Sequence, residues 1–420
     1  MKLRIAILTP LDKWDNSYSL CSVIQSQLVA LVKNDYAPAL YTCTNFKDDE
    51  KVPEGVEIRK DIPVFLYKDY SDHQEVDEIC HQNAEKVYEA LRESLKDIDV
   101  VFEHDLLLQG WFLPHAMAIH RIARETSIKW FHWIHSVPSP KPADIKYPHN
   151  LRYELPPNSK LVYLNNHDIL KAAEVYGLFP KDVRIVHNAL DPRLFWPLHP
   201  LVKSVIEKYD LLSADFIQVY PLSTPRAMGN KQFGVVLEVM GQLKKMGKSI
   251  RIVVPNAHAN NNREKEEIAE IFSYASKQGI NASELIFTSL EDPPTYELGI
   301  PREAVSDFFR LSNLFIFPTT SENCSLILLE AMLSGCLLVL NDSVPSLREF
   351  GQENALYFKF GSQVENVEWD DRQTFMRDVA KIIISEFSVN KSLKVASKIK
   401  REFNYDYLFR NQIEPLLYEK

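Results

Sequence analysis

Short apolar runs recur along the chain and alternate with longer stretches whose apolar positions repeat at the helical period. In the first half the apolar runs fall at 3–9, 39–44, 98–104, 128–135, 160–164 and 183–187, with helical patterns at 22–33, 76–95, 111–125 and 167–177. Such β-helix-β alternation predicts a mostly parallel, doubly wound α/β sheet. The pattern breaks at 191–200, where Pro192, Pro197 and Pro200 impose a rigid, extended segment. It then resumes, with strands expected at 216–220, 250–255, 285–288, 313–318, 336–341 and 356–360 and helices at 232–245 and 263–277. A chain of 420 residues has room for two domains, each with its own core, and the prolines place the boundary near 195/196. Open α/β sheets take ligands at the carboxyl ends of their strands, so two such domains predict a small-molecule site in a cleft between them.

One stretch stands out against this pattern. Residues 313–350, NLFIFPTTSENCSLILLEAMLSGCLLVLNDSVPSLREF, read as a strand, a polar turn at 319–323, an almost wholly apolar helix and a second strand. A helix apolar on every side is expected to be buried, which makes Glu330 in its middle a costly charge unless something pairs with it. A second carboxylate, Glu322, guards the mouth of the same helix.

Composition narrows the classes. Apolar content of 45 % and charged content of 25 % suit a soluble globular protein. Cys21, Cys43, Cys80, Cys324 and Cys336 are odd in number and lack paired spacing, which points to reduced thiols in a cytoplasmic protein and away from a disulfide frame or structural zinc. The opening MKLRIAILTP reads as a first strand, not a signal peptide, and no apolar run reaches membrane-spanning length. A net charge of −9 gives no global pull toward nucleic acid or anionic lipid.

Chemistry can be placed on the expected cleft. Arg226 and Lys231 follow the 216–220 strand and border a helix start, where a guanidinium fork, a point charge and backbone amides suit a diphosphate. The amides at Asn323, Cys324 and Ser325 offer a second anion contact. No G-x-G-x-x-G and no P-loop motif occurs among the twelve glycines. Phosphate contacts with two glutamates beside them to accept hydroxyl hydrogen bonds describe a nucleotide sugar. In the first half, His132 and His135 are three apart on one strand and so face opposite ways, a poor metal pair. His135 stands at the strand's carboxyl end, where the cleft is expected. His104 and Asp105, ending the preceding strand beside Glu103, form an acceptor-side polar cluster. Trp111, Trp130 and Trp133 read as core.

These residues resemble a known family. Glu322 and Glu330 reproduce the E-x7-E signature of retaining GT-B glycosyltransferases, and FPTTSENCSLILLEAMLSGCLLVLND is similar to the family 4 pattern. Arg226 and Lys231 match the pair that grips the donor diphosphate. Asn188, Asp191, Phe195 and Pro197 match the interdomain stretch, and 401–418 resembles a C-terminal helix that returns to the N-terminal domain. The resemblance covers the second half well and the first loosely. It implies an acceptor-side Rossmann-like domain at 1–195, completed by a helix at about 403–420, facing across a cleft a donor-binding domain at 196–402. It further implies transfer with retention by front-face attack, with His135 beside the donor sugar, Glu322 on its hydroxyls and Glu330 on the ribose. No metal and no cofactor are implied beyond a UDP- or GDP-sugar co-substrate.

Three departures bear on the donor. The first loop, 12–18, has no glycine, so Asn16 and Ser17 side chains stand where backbone would approach the phosphate. Asn323-Cys324-Ser325 replaces Gly-Phe-Gly, and Asn188-Ala189 replaces Asn-Gly. The acceptor is open among lipid, glycan, protein, metabolite and modified nucleic acid, and the protein could associate peripherally with a membrane. Two other readings fit the same residues: a GT-B-like nucleotide-sugar epimerase, and a catalytically silent nucleotide-sugar-binding protein.

Overall fold

The computed structural model describes residues 3–15, 17–63, 75–136, 140–223, 227–257 and 259–419. The chain divides into two compact units, 1–190 with 405–420, and 191–404. The sequence places the same divisions at 195/196 and 402/403. Asp191, the first residue of unit 2, caps the short helix Pro192–Phe195, accepting from the Arg193 amide at 2.8 Å.

Unit 1 holds a sheet built, among the described residues, from seven strands: β1 (Arg4–Leu8), β2 (Ala37–Cys43), β3 (Glu57–Ile62), β4 (Val100–His104), β5 (Lys129–Trp133), β6 (Ser159–Tyr163) and β7 (Arg184–Ile185). Their order is β3-β2-β1-β4-β5-β6-β7, with every pairing parallel. The order reverses between β1 and β4. Sequence pattern misses β3, EIRKDI, because it is a polar edge strand of which only Ile62 is buried. It also overextends β5, which stops at Trp133, so His135 lies just past the strand end. Helices α1 (Ser19–Lys33), α2 (Glu78–Ser94), α3 (Leu113–Glu125) and α4 (Ile169–Tyr176) connect these strands. Trp130 and Trp133 are fully buried, whereas Trp111 is exposed and not the core residue expected.

Residues 405–420 complete unit 1. Tyr405, Phe409, Ile413, Leu416 and Leu417 share one apolar cluster with β1, α1 and β4. Gln412 Oε1 accepts from the His187 amide at 2.9 Å, and Glu419 Oε2 accepts from Arg184 Nε at 2.7 Å.

Unit 2 holds a second parallel sheet of β8 (Phe216–Val219), β10 (Ile250–Val254), β12 (Leu285–Phe287), β13 (Leu314–Phe317), β14 (Leu337–Asn341) and β15 (Ala355–Phe358), in the order β12-β10-β8-β13-β14-β15. Beyond its carboxyl edge, β9 (Leu222–Ser223) pairs with β11 (Asn256–Ala257). The central strands are fully buried and almost wholly apolar, Gln218 in β8 and Asn341 at the end of β14 being the polar exceptions, as a sheet covered on both faces requires. Helices α5 (Phe233–Lys245), α6 (Asn262–Lys277), α7 (Arg302–Leu311), α8 (Leu326–Leu333), α9 (Arg372–Val389) and α10 (Lys391–Glu402) belong to this unit. A close approach fixes Gly241 in α5: a Cβ there would meet the Gln278 backbone oxygen at 2.6 Å.

Helix α8 overturns one expectation. LILLEAML buries only Leu328 and Ala331, while Leu326, Leu329 and Leu333 are exposed, Leu333 by 91 %. Apolarity on all sides here does not mean burial on all sides, because α8 meets the sheet along a single edge.

Candidate functional site

Strand order in unit 2 reverses at β8, which pairs with β10 on one side and β13 on the other. Doubly wound sheets bind ligands beyond the carboxyl ends of the strands at this switch point. An open cavity of about 790 Å³ lies there. Pro221 to Ser223 after β8, Pro255 to Ala257 after β10, and Glu322 with Cys324 to Ile327 after β13 supply three of its walls. Leu298 to Ile300 and Val305 close the fourth, apolar side.

Lys231 and Glu322 meet in this cavity as an ion pair, both mostly buried. Lys231 Nζ also lies 5.2 Å from the centroid of the Phe317 ring. The backbone around the pair is fixed from several directions. Tyr220 Oη donates to Lys231 O at 2.8 Å, the Thr320 amide to Asn230 O at 2.9 Å, and Ser346 Oγ to Glu322 O at 2.6 Å. Ser325 begins α8 in extended geometry with no capping bond from its hydroxyl, leaving the first-turn amides of α8 for the cavity. A cation and a helix N-terminus thus converge on one space, the arrangement that binds phosphate. Asn323 and Cys324 are exposed beside them. Arg226, expected as the second cation, and Asn16 lie outside the described residues.

Glu330 is not the unpaired buried charge its sequence context suggests. Arg302 Nη2, on α7, donates to Glu330 Oε1 at 2.8 Å, and the carboxylate does not line the cavity. Ser17 is also engaged, its hydroxyl donating at 2.6 Å and its amide at 2.9 Å to Asp15 Oδ1. Those bonds hold the Asp15 carboxyl well below the usual carboxylate range.

The polar groups of unit 1 gather at the carboxyl ends of β4 and β5. Glu103 is fully buried; it accepts from the Leu106 and Leu107 amides and lies 2.7 Å from His132 Nδ1. His132, on β5, stacks on Trp130, while His135, just past the strand end, and Trp133 flank His104, so the two histidines face opposite ways. His104 is fully buried, with Nδ1 2.9 Å from His135 Nε2 and Nε2 3.1 Å from Gln27 Oε1. It therefore reaches a ligand only through His135. Asp105, in a left-handed conformation at φ 61°, accepts from the His135 amide at 2.9 Å. Burial raises the Asp105 carboxyl to about 6 and lowers His135 to about 4.

Sequence reasoning missed Gln27, Arg302 and the apolar wall at 298–305. Gln27 is a buried amide on an otherwise apolar helix face, a signal that could have been read. The others come from segments distant in sequence and carry no local pattern. The polar stretch after β10 begins with strand β11 and holds Asn256, whose side-chain amide donates to Ser289 Oγ at 2.9 Å. Its His258 lies outside the described residues.

Among the described residues no cluster of histidine, cysteine, aspartate and glutamate has the makings of a metal site. Asp97 and Asp99 form the chain's one Asp-x-Asp triplet, at the opposite end of β4 from the polar group, where Asp97 pairs with Arg59 and Asp99 accepts from the Arg4 amide. All five cysteines are free thiols, and only Cys324 is exposed. No helix among the described residues is long and apolar enough to cross a membrane.

No family model matches the chain, and no curated protein matches it. Among solved structures it is similar to a glycosyltransferase from Rickettsia africae, with 14 % identity, complete coverage of both chains and a TM-score of 0.36. It is similar to HepE of Anabaena in complex with UDP and glucose, at 12 % identity, complete coverage of both chains and a TM-score of 0.35. It is likewise similar to WaaG, a glycosyltransferase involved in lipopolysaccharide biosynthesis, at 12 % identity, complete coverage of both chains and a TM-score of 0.33. Identity and TM-score this low carry no functional argument.

Proposed function

We propose that this chain is a retaining, metal-independent glycosyltransferase of the family 4 type, cytoplasmic, moving a hexosyl group from a UDP- or GDP-sugar to an acceptor hydroxyl. The observation that supports this most is the Lys231–Glu322 ion pair at the open amides of α8, in the cavity at the switch point of unit 2. In the reaction the anomeric carbon–oxygen bond to the diphosphate breaks and a bond to the acceptor oxygen forms on the same face. The acceptor proton passes to the departing diphosphate. The barrier falls if positive charge already faces that diphosphate, and Lys231 and the α8 amides supply it, joined by Arg226 in this reading. With that charge supplied by the protein, the transfer as proposed uses no metal ion.

Glu322 gives up part of its hold on Lys231 when phosphate arrives and accepts from the sugar hydroxyls. Glu330 exchanges Arg302 for the ribose diol. Asn323, Cys324 and Ser325 stand where the sugar is recognised, and their departure from glycine leaves the sugar open. In unit 1, His135 and Asp105 serve the hydroxylated substrates, while Ser17 and Asn16 sit in the loop that takes the place of the glycines.

Thermal shift against a panel of UDP- and GDP-sugars, followed by nucleotide release and NMR of the product anomer, tests the proposal. Stabilisation by one donor, acceptor-dependent release and a retained anomer are expected. Acceptor-independent isomerisation of the sugar would make the chain an epimerase, and binding without turnover a silent receptor. If no nucleotide sugar stabilises the protein, the donor-site assignment fails.

A further inference from the structure

We propose that Gln27 and His104 are positioning residues that lock His135 in a single tautomer, with Nε2 protonated and Nδ1 bare, so that His135 accepts a hydrogen bond from a hydroxyl. Gln27 is buried on α1 with its Oε1 3.1 Å from His104 Nε2. An amide oxygen only accepts, so His104 Nε2 carries the hydrogen. His104 is fully buried, and burial holds its pKa well below the ordinary histidine value, so the ring is neutral and its Nδ1 has none. His135 Nε2, 2.9 Å away, must then be the donor of that bond. Its proton is spent inward, and Nδ1 is left as a lone pair with no hydrogen-bond partner among the described residues.

The ring has little freedom to escape this assignment. Trp133 stacks on His104 at 5.4 Å between centroids, and the His135 amide is tied to Asp105. The Gln27–His104 bond is buried and the His104–His135 bond partly so, in surroundings where neutral pairs gain strength and unpaired groups cost most. A bare imidazole nitrogen attracts a hydroxyl and offers nothing to a phosphate. This position in unit 1 therefore selects a neutral, hydroxylated part of a ligand. Identifying that part as sugar rests on the proposed function; the tautomer itself does not.

Ring-nitrogen NMR of the uniformly 15N-labelled full chain at pH 7 decides the matter, with His135 assigned by loss of its signals in His135→Gln. The expected result is a pyridine-type Nδ1 and a pyrrole-type Nε2. In Gln27→Met and His104→Phe the two shifts should move toward a tautomer average, while the signals of the other histidines report an intact fold. A protonated Nδ1 in the parent chain, the pattern the reversed Gln27 amide would impose, overturns the proposal. So does a His135 pattern unchanged in both variants. UDP-hexose affinity separates this from the functional reading. If the tautomer is locked but no nucleotide sugar binds, the relay stands and the glycosyltransferase assignment falls. If UDP-hexose binds and the tautomer is averaged in the parent, the reverse holds. With both correct, His104→Phe weakens UDP-hexose several-fold and UDP alone hardly at all.

Discussion

Lys231 and Glu322 are 91 residues apart, each in the segment leading into a different helix, yet their charged ends meet in a single ion pair in the cavity beside α8. The one described cation of the proposed phosphate site is thus already neutralised by the carboxylate proposed to read the sugar. A diphosphate entering there does not find a free charge; it competes for one.

That competition makes opposite substitutions behave oppositely. Lys231→Ala removes a charge-assisted hydrogen bond of about 1.5–3 kcal/mol and should weaken UDP roughly tenfold to a hundredfold. Glu322→Gln releases Lys231 and should tighten UDP and inorganic pyrophosphate while slowing transfer. Calorimetric titration of both ligands reads this directly, and equal weakening by the two variants would rule out the competition.

Arg302 and Glu330 make a second pair, with the guanidinium largely exposed. Such pairs contribute about 0–1 kcal/mol, so Arg302→Ala should leave the denaturation midpoint nearly unmoved. The same variant should tighten UDP, by freeing Glu330 for ribose, and leave pyrophosphate unaffected. A change in pyrophosphate affinity of similar size would argue that Arg302 faces the phosphate instead.

Leu328 and Leu333 share α8 and differ in burial as far as two leucines can. Leu328→Ala should cost about 2–5 kcal/mol, whereas Leu333→Ser should stay within about 0.5 kcal/mol of the parent. Urea unfolding of the two variants tests the one-edged packing of α8, which fails if their costs are alike.

Unit 1 should lose stability on acidification. Burial holds His115, His120 and His135 at about 4, below the 6.5 of a free histidine. The unfolded chain therefore takes up these protons first, and the stability they give above pH 6.5 is lost as pH falls toward 4. Asp105 runs the other way: burial raises it from 3.8 to about 6, so its penalty is full above pH 6 and fades as pH falls toward 3.8. Three histidines outweigh one carboxyl. The urea midpoint followed by tryptophan fluorescence should drop between pH 6.5 and 4.5, and Asp105→Asn should raise it at pH 7 and steepen the drop. A midpoint flat across this range would contradict the assignment.

Gly241→Ala should destabilise unit 2 by about 1–3 kcal/mol, because the group in the way is backbone oxygen and not a side chain that can rotate. Differential scanning calorimetry would show a lowered transition for that unit; an unshifted one would mean that α5 and Gln278 can separate freely.

Legibility in the sequence followed the physics of each element. Buried strands such as LFIF and LLVLN announce themselves because both faces are covered, and β3 stays hidden because its edge position lets it be polar. Glu322 and Lys231 stood out as candidate site residues because each lies between a strand and a helix start. That their charges meet, that Arg302 holds Glu330 and that Gln27 orders two histidines are facts of tertiary packing. They join residues 28 to 91 positions apart, and no local pattern encodes them.

The apolar cluster formed by Tyr405, Phe409, Ile413, Leu416 and Leu417 with unit 1 has a consequence for the order of synthesis. In covalent terms unit 2 is a guest inserted into a host, and the host's last sixteen residues follow the guest. A ribosome making this chain releases all of unit 2 before it supplies the residues that close the core of unit 1. Unit 2 is contiguous and can fold as it emerges, while unit 1 must wait with an apolar groove uncovered. A fragment ending at 190 would keep that groove open for good, so the first-made part of the protein is the last to be finished.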